Sequence, residues 1–264
     1  MGMPMRYSRI VSMAPSNTET VFALGMGESL VGVTEYCNYP PEAKLIEKIG
    51  GFSTPDIERI LSISPDLVLA MDFHEGMGIT QELSDKGIHC CLLSSESIFK
   101  APQNIVKIGK VLGCLEKALN MAQQVDQGIK NVLSIAARAT HRVRVCYLCD
   151  IACAAWRSCH MSKLMEMLGG INVARDIAEG ADEDTVIREI ISQDPEVVLY
   201  SQGYEKSEEL LSAVMKEPEF IKTSAYRGGK IYGLKAELIC RPGPRAAEGL
   251  ETLARLIHPE LFEG

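Results

Sequence analysis

An internal repeat constrains the fold of this chain more than any other feature. The segment IERILSISPDLVLA at 57–70 is matched 130 positions later (187 minus 57) by IREIISQDPEVVLY at 187–200. Each copy reads as a short helix with apolar residues spaced three and four apart, followed by a proline turn and an uninterrupted apolar strand. A strand that is apolar throughout suits a parallel sheet covered by helices on both faces. The repeat therefore predicts an α/β protein with two similar lobes, each built on a parallel central sheet.

Other apolar runs supply the remaining strands of each lobe. The predicted strands are RIVSMAP (9–15), LVGVTE (30–35) and HCCLLS (89–94) in the first lobe, and VRVCYL (143–148), EVVLYS (196–201) and KIYGL (230–234) in the second. Ser16 stands where a helix N-cap is expected, and Glu19 follows three residues later, as in a capping box. The pattern therefore predicts that the first helix begins at Ser16.

Between the lobes, residues 115–138 contain no proline and a single glycine, and their apolar residues recur every three or four positions. This pattern predicts one amphipathic helix about 36 Å long. We therefore expect an N-terminal lobe at 1–114, a connecting backbone helix at 115–138 and a C-terminal lobe at 139–264. Ligands of such sheets bind at the carboxyl ends of strands, so a cleft between the lobes should be lined by strand-following loops.

Composition excludes several classes of partner. The formal net charge of −8 argues against nucleic acid or an anionic membrane surface as the main partner. No apolar run reaches the roughly 18 residues that a membrane span needs. The amino terminus has no signal-peptide pattern, which predicts a cytoplasmic protein, or a periplasmic or cell-surface one if a leader has been removed.

Four stretches together resemble a known family. RIVSMAPSNTETVFALG, GVTEYCNYPPEA, DIERILSISPDLVLA and RPGPR are similar to the helical-backbone (class III) solute-binding proteins of ABC importers, and most similar to the cobalamin-binding members. The resemblance implies a monomeric, non-enzymatic protein with two lobes and a rigid connecting helix. It also implies one small-molecule metal chelate as ligand: cobalamin or a related corrinoid, haem or a ferric siderophore. The partner would be an ABC permease.

The resemblance also assigns residues. Tyr36 and Phe52 match aromatics that flank the corrin ring in cobalamin binders, and a flat macrocycle favours aromatic faces. Glu58 matches the first-lobe acid that docks onto the permease. The matching second-lobe position holds Arg188, which departs from the family pattern, and Glu189 stands next to it.

Further candidates come from the residue types in the expected cleft loops. Arg241 and Arg245, on either side of the rigid PGP, could pair with a propionate or phosphate of the ligand. The full predicted ligand-facing set is Tyr36, Cys37, Phe52, His74, Trp156, Tyr204, Arg241 and Arg245. His74 or His160 could supply an axial ligand to a bound metal.

Cysteines in the same loops leave a second class of function open. Cys37, Cys149, Cys153, Cys159 and Cys240 could converge with His160 on one metal. Thiolates with imidazole suit zinc, an iron–sulfur cluster or an axial position on haem. The alternative function is therefore an intracellular metal or iron–sulfur carrier on the same fold, and a third alternative is an enzyme of corrinoid or cluster metabolism. No nucleophile elbow or dinucleotide fingerprint supports catalysis.

Overall fold

The computed structural model describes residues 7–149, 160–178 and 180–262. The strands within these ranges are β1 (Ile10–Ser12), β2 (Leu30–Val33), β3 (Leu67–Met71), β4 (His89–Leu93), β5 (Val143–Leu148), β6 (Gly170–Asn172), β7 (Val197–Ser201) and β8 (Ile231–Leu234). The α-helices are α1 (Pro15–Ala23), α2 (Ile57–Ser62), α3 (Asp72–Gly76), α4 (Ile79–Asp85), α5 (Ala101–Val111), α6 (Leu115–Ala136), α7 (His160–Met167), α8 (Glu183–Ser192), α9 (Glu205–Lys216), α10 (Ser224–Arg227), α11 (Ala236–Ile239) and α12 (Ala246–Ile257).

The strands form two parallel sheets with the same topology. Their strand orders are β2-β1-β3-β4 and β6-β5-β7-β8, so each sheet places its second strand at one edge and its fourth at the other. In both sheets the central pair is in register, with Val11 beside Val68 and Cys146 beside Val198. The predicted α/β class with two similar lobes is confirmed.

By its contacts the chain divides into two compact units. Unit one comprises Met1–Gln127 and Arg241–Ala246, and unit two comprises Gly128–Cys240 and Ala247–Gly264. The long predicted helix is present as α6, and no described helix is long and apolar enough to cross a membrane. The segment 241–246, which the sequence places in the C-terminal lobe, makes its contacts with unit one.

Each unit has its own core beneath the repeated helix. Ile60 of α2 and Ile190 of α8 are fully buried, one in each core cluster. Burying such a side chain contributes about 1.5–3 kcal/mol relative to leaving it exposed. Both helices are capped by an aspartate, since Asp56 accepts from the Arg59 amide and Asp182 from the Thr185 amide. The apolar spacing seen in the sequence therefore buries one face of the repeated helix in the core of each unit.

The repeat extends to the turns before β3 and β7. Ser64 and Asp194, which are 130 positions apart, both have a left-handed backbone, with φ of 47° and 46°. Arg9 donates from Nε to the Ser64 carbonyl at 3.0 Å, and Arg144 donates from Nε to the Asp194 carbonyl at 2.7 Å. The two units thus share side-chain contacts as well as topology.

Two local predictions fail. The first helix begins at Pro15, after Ala14 as N-cap, and no side chain caps it. Ser16 is inside the helix because proline is favoured in its first turn. The short strand β6 was missed because Gly170–Asn172 has no apolar run to mark it.

Candidate functional site

The loop that follows β2 exposes two aromatic rings while its centre is buried. Tyr36 is 59% exposed and Tyr39 46% exposed. Between them, the Cys37 sulfur lies 3.1 Å from the Thr18 hydroxyl and 3.2 Å from the Thr34 hydroxyl. Cys37 is 1% exposed, so its buried thiol holds the centre of the loop against the protein interior. The predicted contact of Cys37 with a ligand or a metal stays a prediction, and the described contacts of its sulfur are the two hydroxyls.

A buried carboxylate lies beside this loop. Glu19 on α1 has a side chain only 2% exposed, and it accepts hydrogen bonds from both arginines of RPGPR. Arg245 donates from Nε to Oε2 at 2.9 Å and from Nη2 to Oε1 at 2.7 Å. Arg241 donates from Nη1 to Oε1 at 2.9 Å. Such charge-assisted, bidentate contacts are among the strongest hydrogen bonds in proteins.

The same arginines hold the aromatic loop. Arg241 donates from Nη2 to the Tyr36 carbonyl oxygen at 3.0 Å and from Nη1 to the Asn38 side-chain oxygen at 2.9 Å. The Arg245 guanidinium lies 4.0 Å from the centroid of the Tyr39 ring, in cation–π geometry. Arg241 and Arg245 are thus committed to the protein, and their predicted pairing with an anionic ligand group stays a prediction.

A tight turn just before Phe52 lies against Tyr36. Gly51 donates to the Thr54 carbonyl at 3.1 Å, and Gly50 has a φ of +90° that favours glycine. A Cβ on Gly51 would stand 2.8 Å from the Thr54 hydroxyl and 3.7 Å from Cε2 of Tyr36. The turn therefore favours glycine at position 50, where a Cβ would also meet the Thr54 carbonyl oxygen at 2.7 Å, and Gly51 lies against the Tyr36 ring.

Phe52 is part of an aromatic cluster that includes the residues after β3. Its ring stacks on Phe73 with centroids 5.3 Å apart and planes inclined by 19°. Its centroid is 4.9 Å from that of His74. Phe73 is 42% exposed, whereas Phe52 is half-buried and His74 is fully buried. The cluster therefore presents aromatic rings to solvent above a buried imidazole.

Both ring nitrogens of His74 are bound to backbone. The Met71 amide donates to Nδ1 at 3.0 Å, so the neutral ring carries its proton on Nε2. Nε2 then donates to the Phe52 carbonyl oxygen at 2.8 Å. With no nitrogen facing outward, His74 cannot act as the predicted axial ligand in this conformation. Its pKa is lowered, chiefly by desolvation, against the opposing effects of the Phe52 hydrogen bond and the Asp72 charge.

In unit two, the described candidates are more scattered. The His160 ring is half-buried with Nε2 3.3 Å from the Ile239 carbonyl oxygen, and desolvation lowers its pKa. Tyr204 immediately precedes α9 and is 40% exposed. Cys240 is exposed and Cys149 is half-buried. The predicted contacts Cys153, Trp156 and Cys159 lie outside the described residues.

The predicted metal ligands are not gathered into a site within the part of the chain that the structure describes. There, no group of three or more His, Cys, Asp or Glu side chains could hold a metal ion. A zinc or iron–sulfur site needs three or four convergent protein ligands. Cys37, Cys149, His160 and Cys240 therefore do not form one by themselves.

Three residues of this site were missed by the sequence analysis. The sequence predicts only a capping role for Glu19, and it does not single out Tyr39 or Phe73. Tyr39 and Phe73 could have been found, because each is an aromatic within a few residues of a strand's carboxyl end. Glu19 carried no such signal, since its arginine partners are more than 200 residues away.

The predicted docking residue lies on the repeated helix. Glu58 is exposed in the first turn of α2, and its neighbour Arg59 is paired with Glu47. The matching residue of α8 is Arg188, also exposed, whose Nε donates to the Asp184 carbonyl at 3.1 Å. The two units thus present opposite charges at equivalent places.

Comparison with known proteins places the chain in a family. Residues 10–238 match the periplasmic binding protein family. The chain belongs to that family. Its members are substrate-binding proteins. This agrees with the family resemblance seen in the sequence motifs.

Individual relatives agree over nearly the whole chain. An uncharacterized ABC transporter substrate-binding lipoprotein of Bacillus subtilis is 27% identical, covering 97% of this chain and 81% of that protein. The vitamin B12-binding protein of Vibrio cholerae is 25% identical, covering 95% of this chain and 89% of that protein. The periplasmic heme-binding protein of Roseiflexus in its apo form is 26% identical, with a TM-score of 0.81 over 96% of this chain and 99% of that one.

Replacing Glu19 with glutamine should lower the free energy of unfolding by about 2–4 kcal/mol, because two largely buried guanidinium groups lose their counter-charge. Urea denaturation would measure this. The matched control is Glu251→Gln, which breaks an exposed pair with Arg255 and should cost no more than about 0.5 kcal/mol. Equal losses in the two variants would contradict the importance assigned to Glu19.

Stability should fall as the pH drops below 6.5, the ordinary pKa of histidine. Above that value His74 is neutral in both states, so it adds no pH dependence. Below pH 6.5 the His74 imidazole becomes protonated in the unfolded chain but stays neutral in the folded protein. The free energy of unfolding therefore decreases until the pH reaches the lowered pKa of the folded state. One proton gives a slope of at most about 1.4 kcal/mol per pH unit.

Urea denaturation between pH 7.5 and pH 5 would measure this slope. His74→Gln should reduce it, while His160, whose pKa is also lowered by burial, continues to contribute. A slope unchanged by the substitution would show that His74 is not the titrating group.

Proposed function

We propose that this chain is a solute-binding protein that carries a corrinoid of the cobalamin type to an ABC importer. The observation that carries the ligand class is the exposed Tyr36 ring beside the turn that precedes Phe52, both in loops of unit one. Aromatic faces of this kind suit a flat macrocycle, because stacking and area burial need no charge complementarity. The vitamin B12-binding relative supports the corrinoid as the first choice.

Haem is the second candidate ligand. The heme-binding protein of Roseiflexus supports it, and haem is likewise a planar metal-containing macrocycle. In either case the metal arrives inside its own ring, so the protein needs at most one axial ligand. We also propose a periplasmic location, which the name of the periplasmic heme-binding protein of Roseiflexus supports.

The ligand proposal is tested by replacing both Tyr36 and Phe52 with alanine. Absorbance titration with cyanocobalamin and with haemin should give weaker binding by roughly 1–3 kcal/mol, or about 5- to 150-fold. Tyr36→Phe is the matched control, since it keeps the ring and should bind almost as well as the parent. A parent protein that binds neither probe, or a double variant that binds like the parent, would refute the proposal.

The contact with the permease is a second part of the proposal. Glu58 would meet a basic group of the permease, and Arg188 would meet an acidic one, since equivalent helices of the two units carry opposite charges there. Such a surface would orient the protein on its partner in one of two otherwise similar directions. Electrostatic complementarity of this type sets specificity more than affinity.

Charge reversal tests the docking residues. Glu58→Arg and Arg188→Glu should each weaken binding to the reconstituted permease by about tenfold, because each places like charges together. Glu82→Arg, at an exposed position of α4, makes the same change in net charge as Glu58→Arg and is the control for that variant. If Arg188→Glu strengthens the complex instead, the permease binds an acidic residue on each unit. The proposed contact between Arg188 and an acidic group of the permease would then be wrong.

A further inference from the structure

Phe73 is an exposed aromatic that neither the family resemblance nor the relatives assign to any role. It lies two residues after Met71, the last residue of β3, and 42% of its surface is exposed. Met77, one helical turn further on, is 48% exposed. An isolated exposed apolar residue would need no explanation. Phe73 is not isolated, because one face of its ring stacks on Phe52.

The topology brings Phe73 to the same sheet edge as the other exposed rings of unit one. The strands are parallel and ordered β2-β1-β3, so the segments after β2 and β3 leave the same edge on either side of β1. Tyr36 follows β2 and Phe73 follows β3. Phe52 connects them, since its turn packs against Tyr36 and its ring stacks on Phe73.

His74 fixes this arrangement. Its Nδ1 accepts from the Met71 amide at the end of β3, and its Nε2 donates to the Phe52 carbonyl in the neighbouring loop. Its ring also packs against both phenylalanines, with centroids 4.9 Å from Phe52 and 5.7 Å from Phe73. The buried His74 side chain thus binds both loops and leaves the Phe52 and Phe73 rings in contact with each other.

We propose that Phe73 is a third ligand-contacting aromatic of the unit-one site, and that His74 is the positioning residue that holds Phe73 and Phe52 together. The ligand is the planar macrocycle of a corrin or porphyrin, so this inference rests on the proposed function. A single ring covers a small part of such a macrocycle. The stacked pair of Phe52 and Phe73 adds a second area of aromatic surface to that of Tyr36.

The test measures dissociation constants for cyanocobalamin and haemin by absorbance titration. Phe73→Ala should weaken the binding of whichever probe the parent binds by about three- to tenfold. Phe73→Tyr, which keeps the ring, should restore most of the affinity, whereas Phe73→Leu should not. The position is exposed, so all three variants should fold.

Tyr226→Ala is the matched control in unit two. Tyr226 is 43% exposed and packs edge-on against Phe220, so its removal deletes a comparable aromatic contact. It precedes β8 in the chain and so lies at the amino ends of the strands, away from the strand-following loops. The Tyr226→Ala variant should bind cyanocobalamin and haemin with the same affinity as the parent.

A double-mutant cycle tests the role of His74. His74→Gln should weaken binding more when Phe73 is present than in the Phe73→Ala background, because part of its effect passes through the position of the Phe73 ring and the rest through Phe52. A purely structural histidine would lower affinity equally in both backgrounds, which would overturn the positioning role.

The remaining outcomes are distinguishable. If the parent binds a probe and Phe73→Ala binds it equally well, this inference fails and the proposed function stands. The inference also fails, with the proposed function intact, if Tyr226→Ala is as impaired as Phe73→Ala. If the parent binds neither probe, the proposed function fails and the inference fails with it.

Discussion

The unit-one site depends on a carboxylate that is almost completely removed from water. Glu19 would be costly to bury alone, but three guanidinium contacts from Arg241 and Arg245 satisfy both of its oxygens. The arginines then reach the Tyr36 carbonyl, the Asn38 side chain and the Tyr39 ring. Close approach is possible because Gly243, between them, has no Cβ to press on Ser16 at 3.2–3.3 Å. One buried charge therefore fixes a late segment of the chain and orders the loop that carries the exposed aromatics.

The repeat shows which contacts the architecture requires and which it leaves open to change. Arg9 and Arg144 bind equivalent left-handed turns in the two units, and Asp66 and Glu196 accept the backbone amides of those arginines. These contacts close the same helix–turn–strand element, so altering them would affect folding. In contrast, Glu58 and Arg188 lie on exposed faces, where a reversed charge costs little stability. The two units thus share the contacts that close the repeated element and differ in charge at exposed positions of the same helix.

Histidine and cysteine were the least predictable site residues for the same physical reason. Both are chemically versatile, so their position in a loop suggests ligation, but both also fit well inside a core when a partner is present. His74 finds two backbone partners and Cys37 finds two hydroxyls, and each becomes an anchor. An aromatic residue in a loop gives a clearer signal, because a large ring outside the periodic apolar segments has few buried positions available.

The sequence alone determined the fold class, the repeat, the long helix and almost all of the strands. These features are local, since an apolar run or a helical spacing is written in consecutive residues. It missed β6, whose three residues carry no such pattern, and the start of α1, where proline prevailed over serine. Only the tertiary structure decided that Glu19 meets Arg241 and Arg245, that Phe73 stacks on Phe52, and that His74 faces inward. Those pairings join segments up to 226 residues apart, and no local spacing reveals which buried polar groups will satisfy one another.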